Sequence, residues 1–223
     1  ILSHTTTIRE RKSSMSRSNE RHLFLTSNGL TDSMKRKLFS LIGKTPEGVK
    51  VLYIPTAGIE TDGAREGFAV CLHELAAMGI LPEHILIYNL ELIVSRDYPR
   101  TYSAYIQELP MVSRLLTLDE LQRFDVVFVS GGDCAVLCRE MKRTGFDQVL
   151  REGISRGVIY VGISAGSMYA AGNLEDGLRI LPHVLIPHWT GPTMEELPDG
   201  AEEIRLKDGQ VVYIAGNGAG LLE

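Results

Sequence analysis

Val158-Ile159-Tyr160-Val161-Gly162-Ile163-Ser164-Ala165-Gly166 is the stretch that decides how this chain folds. Val158 to Gly162 is an unbroken run of small and apolar residues, the pattern of a strand covered on both faces in a parallel sheet. Gly162-Ile163-Ser164-Ala165-Gly166 then matches Gly-x-Ser-x-Gly, a sharp strand-to-helix turn that holds a serine clear of the sheet. The glycines keep side chains away from the turn.

The same alternation recurs on either side of this stretch. Phe124 to Val129 reads as a strand running into Ser130-Gly131-Gly132-Asp133, followed by a helix over Cys134 to Thr144 that Gly145 closes. Val149 to Arg156 continues helically. Upstream, His22 to Ser27 is a strand ending at the turn Asn28-Gly29, and Val49 to Ile54 is a strand closed by Pro55. Ile85 to Tyr88 is a third. Helices are expected over Thr31 to Ile42, with Met34, Leu38, Leu41 and Ile42 on one face, and over Gly63 to Met78. A short helix at Leu115 to Gln122 carries Thr117 and Glu120 in capping-box spacing. Strands alternating with helices imply a three-layer α/β sandwich with a mostly parallel central sheet. In such sheets ligands collect at the carboxyl ends of the strands, where both Gly-rich turns fall. Toward the end, Glu203 to Leu206 and Val211 to Ile214 flank Lys207-Asp208-Gly209-Gln210, which reads as a hairpin.

The 223 residues, 44% hydrophobic and 23% charged, suit one globular domain over residues 22–223. Residues 1–21 are polar and carry several arginines, so they read as a flexible leader without the apolar core of a signal peptide. A net charge of −5 argues against a nucleic-acid binder, and no apolar run approaches the ~18 residues of a membrane span. Cys71, Cys134 and Cys138 form no disulfide framework and point to a reducing cytoplasm. Cys134 and Cys138 share a helix face, which is read as packing rather than as a metal site.

A serine needs a base to act as a nucleophile. His188, at the end of the apolar run Leu185-Ile186-Pro187, is the best candidate, with His183 its rival; His4, His22, His73 and His84 read as ordinary surface or core residues. The acid that orients the base is open among Glu175, Asp176, Glu195, Glu196 and Asp199, with Asp176 preferred. An oxyanion would be held by the Ala165 N–H and a second N–H from the Gly131-Gly132 turn. Trp189, beside the base, is a candidate pocket wall or a packed side chain.

Taken together, Val127 to Asp133, Val158 to Met168, and Leu178-Arg179-Ile180-Leu181-Pro182 through Pro187-His188-Trp189 resemble the peptidase E family of serine peptidases. Leu23 to Ser27 and Val51 to Ala57 fit its first two strands. The resemblance implies a flavodoxin-like fold related to class I glutamine amidotransferases. It also implies cleavage of short peptides after an N-terminal acidic residue (Asp-X), without metal or cofactor. Carried over, Ser164 is the nucleophile, His188 the base, and Gly132 and Ala165 the oxyanion donors. A homodimer is compatible with it.

The sequence departs from the family in three ways. Asp133 stands where the family has Asn, adding a charge that would disfavour an acidic substrate if it faced the pocket. The connection from the elbow to Leu178 is about a dozen residues shorter. The family's acidic residue before Gly is matched to Gly216-Asn217-Gly218, which would put Asn217 in a substrate position. Two other readings therefore stand beside the peptidase: a hydrolase of another amide or ester, and a catalytically inactive binding homologue.

Overall fold

The structure, a computed structural model, describes residues 20–94, 109–197 and 202–222. The leader read over residues 1–21 falls outside these up to residue 19, as does Asp199. A seven-stranded sheet forms the centre, in the order β3-β2-β4-β5-β1-β8-β9. Its strands are β1 (His22–Thr26), β2 (Val51–Ile54), β3 (Ile85–Ile87), β4 (Val126–Val129), β5 (Ile159–Ile163), β8 (Val211–Ala215) and β9 (Gly218–Leu222). The first five run parallel, and β8 alone pairs antiparallel with both neighbours. The deciding stretch thus becomes the middle strand, β5.

Successive strand residues point to opposite faces, and each face has its own helices. Phe24, Tyr53, Phe128 and Val161 pack under α1 (Asp32–Ile42) and α2 (Ala64–Ala77) through Met34, Leu38 and Leu75. Leu25, Ile54, Val127 and Tyr160 pack on the other side, against α4 (Cys134–Thr144), α5 (Phe146–Ser155) and α6 (Ala165–Ala170). This is the expected three-layer α/β sandwich with a mostly parallel sheet. Gly145 ends α4 in the left-handed conformation at φ 74° and α5 starts at once, earlier than the sequence pattern suggested.

The tail corrects the sequence reading. β7 (Glu203–Arg205) does not form a hairpin with β8. It pairs in parallel with β6 (Val184–Ile186) in a separate two-stranded sheet. Lys207 to Gln210 is therefore a corner by which the chain leaves the small sheet and enters the large one beside β1. The hairpin is β8 with β9, around Gly216 and Asn217. Hydrophobic patterning near a Gly turn cannot tell these pairings apart; burial can, since Val211 and Val212 are fully buried beside β1.

Before β4, the short helix α3 (Leu118–Leu121) is held as its spacing predicted: the Glu120 N–H donates to Thr117 Oγ and the Thr117 N–H to Glu120 Oε2. Arg114 adds a bidentate pair to the same carboxylate at 2.7 and 2.8 Å. That guanidinium, ahead of the Thr117 N–H, pulls the Glu120 carboxyl down to about 2. A carboxyl depressed by folding stabilises above its unfolded pKa of about 4.3, and the gain disappears as pH falls through the folded value. Glu120→Gln should cost on the order of 2 kcal/mol at neutral pH. Chemical denaturation across pH should show the gap to the parent protein flat above pH ~5 and closing between ~4 and ~2.

Candidate active site

Four segments converge at the carboxyl ends of the parallel strands. Ser164 follows β5, Gly131-Gly132 follows β4, and Ser27 follows β1. The fourth, carrying His188 and Asp208, comes from the small sheet.

Ser164 has φ 48° and ψ −106°, a left-handed conformation that non-glycine residues seldom adopt. Its surroundings hold it there. Its N–H donates to Thr26 O at 2.9 Å, and its carbonyl accepts from Met168 N at 2.9 Å. The Ser167 hydroxyl lies within reach of Thr26 O and Gly162 O, and the Tyr160 hydroxyl donates to Gly166 O. The flanking glycines are required by space. A Cβ on Gly166 would come within 2.4 Å of Val129 O, and one on Gly162 within 2.7 Å of the Gly166 carbonyl. Beneath the elbow the Cys134 thiol donates to Ala165 O, and burial pushes it up to about 12, so it stays a protonated packing group. The helix after the elbow, Ala165–Ala170, is short, so its contribution to an anion site is local N–H groups rather than a long dipole.

The other half of the site follows from the small sheet. β6 and β7 are parallel with Ile186 opposite Arg205, so the residues leaving both strands emerge at the same end. Leu206 N donates to Ile186 O, and Trp189 N to Leu206 O, which extends the pairing past the strands. His188 and Asp208 are thereby side by side. His188 is itself left-handed at φ 57°, and its N–H donates to Ser27 Oγ at 2.7 Å. Its Nε2 lies 3.1 Å from Ser164 Oγ and its Nδ1 3.0 Å from Asp208 Oδ1. With the proton on Nδ1, the ring donates to the carboxylate and accepts from the serine. The Ser27 hydroxyl donates to the same Asp208 oxygen at 2.7 Å. This bond and, after it, His188 hold the Asp208 carboxyl below the usual carboxylate range. The His188 and Asp208 side chains remain 54% and 57% exposed, so the chain of hydrogen bonds runs along the rim of the molecule.

The structure thus brings Ser164 and His188 together, with Gly131 against the serine: a Cβ on Gly131 would sit 3.2 Å from Ser164 Cβ. Gly132, at φ 136°, is pressed onto Ala57 and could carry no side chain. Both glycines line one cavity with Ser164 and His188, of about 310 Å³.

Other sequence expectations are corrected. Asp176 lies 3.4 Å from Lys142 Nζ, 73% exposed, and the carboxylate that meets His188 is Asp208. Asp133 caps α4, accepting from Ala135 N and Val136 N, and does not line the cavity. Trp189 belongs to a different hollow, where its Nε1 donates to Pro192 O and Arg205 lies over its ring at 4.7 Å. Asn217 lies beyond Ala215, which pairs with His22 at the amino end of β1, the opposite end of the sheet from Ser164, and it accepts from Arg21. Sequence reasoning missed Asp208 and Ser27. Asp208 was hidden because Lys207 to Gln210 read as a hairpin turn, whereas the chain there leaves β7 beside His188. The short elbow-to-His188 connection is closed by Gly172 N donating to His183 O and by Asn173 bonding both backbone groups of Leu185.

A strained serine on a nucleophile elbow, bonded to an imidazole that is bonded to a carboxylate, is the constellation by which hydrolases activate a hydroxyl. Residues 103–222, just over half of the chain, match the model of peptidase family S51. The chain belongs to that family. It is 29% identical over 106 residues to an uncharacterized peptidase of Pasteurella multocida, covering 39% of this chain and 51% of that one. It is 39% identical over 86 residues to another from Listeria innocua, covering 31% and 41%. The chain thus spans about half the length of the curated relatives it matches. Among solved structures, one described as a peptidase E protein from Listeria monocytogenes superposes with a TM-score of 0.60 at 22% identity, over 92% of this chain and 98% of that one. A peptidase from an acI-B1 Actinobacterium does so with a TM-score of 0.60 at 18% identity, over 92% and 89%. These likenesses carry the fold.

The elbow geometry predicts that Gly166→Ala is disruptive although it adds one methyl group. The clash with Val129 O should cost about 2 kcal/mol or more. A thermal melt of this variant within a degree of the parent would show that the elbow has room the structure denies it.

Proposed function

We propose that this S51 family member is a serine peptidase of short peptides. The observation that carries the reading is the continuous hydrogen-bonded chain from Ser164 Oγ through His188 to Asp208. Ser164 Oγ attacks the scissile carbonyl as His188 Nε2 takes its proton. The tetrahedral oxyanion is held by the N–H groups of Ala165 and Gly132. Collapse breaks the C–N bond, and the imidazolium returns the proton to the leaving amine. Water, deprotonated by the same nitrogen, then releases the acyl group. Asp208 keeps the proton of the resting imidazole on Nδ1 and stabilises the imidazolium. Ser27 holds Asp208 and the His188 backbone together and is a positioning residue.

The cavity of about 310 Å³ suits one substrate residue rather than an extended polypeptide, which supports action on dipeptides or other short peptides. The family resemblance suggests Asp-X substrates. The inactive-homologue reading rested on a missing acid, and Asp208 supplies a carboxylate at that position. The reading of another amide or ester hydrolase rested on Asp133 and Asn217, and neither faces the cavity.

The experiment combines fluorophosphonate labelling with dipeptide hydrolysis. The parent protein should label at Ser164 and cleave at least one dipeptide, and Ser164→Ala should do neither. Asp208→Asn should lower kcat by roughly 10³- to 10⁴-fold, as loss of an orienting acid does elsewhere. Asp176→Asn should leave the rate within about twofold, as a solvated charge far from the chemistry would. Equal losses in the two carboxylate variants would refute this assignment of the acid.

A further inference from the structure

The cavity beside Ser164 has a second wall that the hydrolytic chemistry does not use. One face of α2 supplies it, with Gly67, Phe68, Cys71 and Glu74 at helical spacing, and Tyr53 of β2 stands next to Phe68 with ring centroids 5.8 Å apart. Glu74 is the only carboxylate among the described residues lining this cavity, and no lysine or arginine lines it. Its side chain makes no ion pair or hydrogen bond among the described residues. It is partly withdrawn from water, against the backbone of Gly29, where a Cβ would sit 3.3 Å from its Oε1. The neighbouring groups do not balance the charge. Burial pushes the Tyr53 hydroxyl and the Cys71 thiol upward, with the Glu74 carboxylate a smaller contribution to each, so both stay neutral.

A half-buried carboxylate without a partner, on an otherwise apolar and aromatic wall, is a poor host for an acidic side chain and a good one for an organic cation. The partly exposed Phe68 ring, backed by the buried Tyr53, would accept an aliphatic stem or the cation itself, and the carboxylate its N–H donors. We propose that Glu74 is an anionic subsite that receives the cationic group, ammonium or guanidinium, of the peptide whose carbonyl Ser164 attacks. The inference rests on the serine peptidase reading and replaces its Asp-X specificity. The cation has two sources, a Lys or Arg side chain at the cleaved residue or the α-ammonium of an N-terminal residue, and both are within reach of a test.

The test uses p-nitroanilides of Lys, Arg, Leu and Asp, each with a free and an acetylated N-terminus, on the parent protein, Glu74→Gln and Glu74→Lys. Fluorophosphonate labelling of Ser164 runs in parallel. A side-chain subsite predicts that Lys and Arg exceed Leu and Asp with either terminus. Glu74→Gln should then lower kcat/KM for Lys and Arg by roughly 10- to 100-fold, the size of a lost charge-assisted hydrogen bond. Leu should stay within about threefold, since it never bonded the carboxylate. An α-ammonium subsite predicts the same loss for every free substrate and none for the acetylated ones. Glu74→Lys should shift preference toward Asp in the first case. A common factor for all substrates, acetylated ones included, or a parent enzyme that prefers Asp with either terminus, overturns the proposal. So does labelled Ser164 with no anilide cleaved. Labelling at the parent rate in Glu74→Gln shows that its site is intact, and failure of the parent protein to label at all would instead remove the serine hydrolase reading beneath it.

Discussion

The contact between the elbow and strand β4 constrains everything around it. Gly166 lies so close to Val129 O that no side chain fits between them, and Gly162 lies as close to Gly166 itself. This packing lets β5 turn into α6 within one residue and forces Ser164 into its left-handed conformation. The strain, of order 1–3 kcal/mol for such a residue, is sustained by the hydrogen bonds from Thr26, Tyr160 and Ser167 beneath it. Because β5 is the middle strand, the elbow is held from both neighbours, by the Thr26 carbonyl of β1 that accepts from Ser164 N and Ser167 Oγ, and by the close packing of Gly166 on Val129 O of β4.

The second half of the site is built on a much smaller platform. Two three-residue strands in parallel register deliver His188 and Asp208 to the same place. A pair so short would not hold position alone. Its coupling to the main sheet runs through Ser27, which follows β1, accepts from the His188 N–H and donates to Asp208. One buried hydroxyl therefore sets the distance between the two platforms, and with it the distance from imidazole to Ser164. The exposure of His188 and Asp208 makes this tie more important, since solvent rather than protein surrounds much of both side chains.

The charge around the nucleophile is distributed with a direction. Asp133, the departure from the family pattern, is spent on the amino end of α4. Glu74, which no motif singles out, faces the cavity. Specificity in such a site follows from the group that remains unpaired, because a paired carboxylate offers a substrate little and an unpaired one in a partly desolvated wall attracts or rejects it strongly.

The sandwich, the elbow and the serine are legible in the order of the residues. Buried parallel strands leave continuous apolar runs, and the elbow needs glycine at fixed spacing, so both are written locally between Val158 and Gly166. His188 was legible as a histidine closing a strand, and the Thr117–Glu120 cap as a spacing. The partner of His188 emerges from strand pairing alone. Asp208 stands next to it because β7 pairs with β6 and not with β8, and a pairing between segments far apart in the chain leaves no local mark. Glu74 carries no motif in the sequence, and only the approach of α2 to the end of β5 makes it part of a cavity.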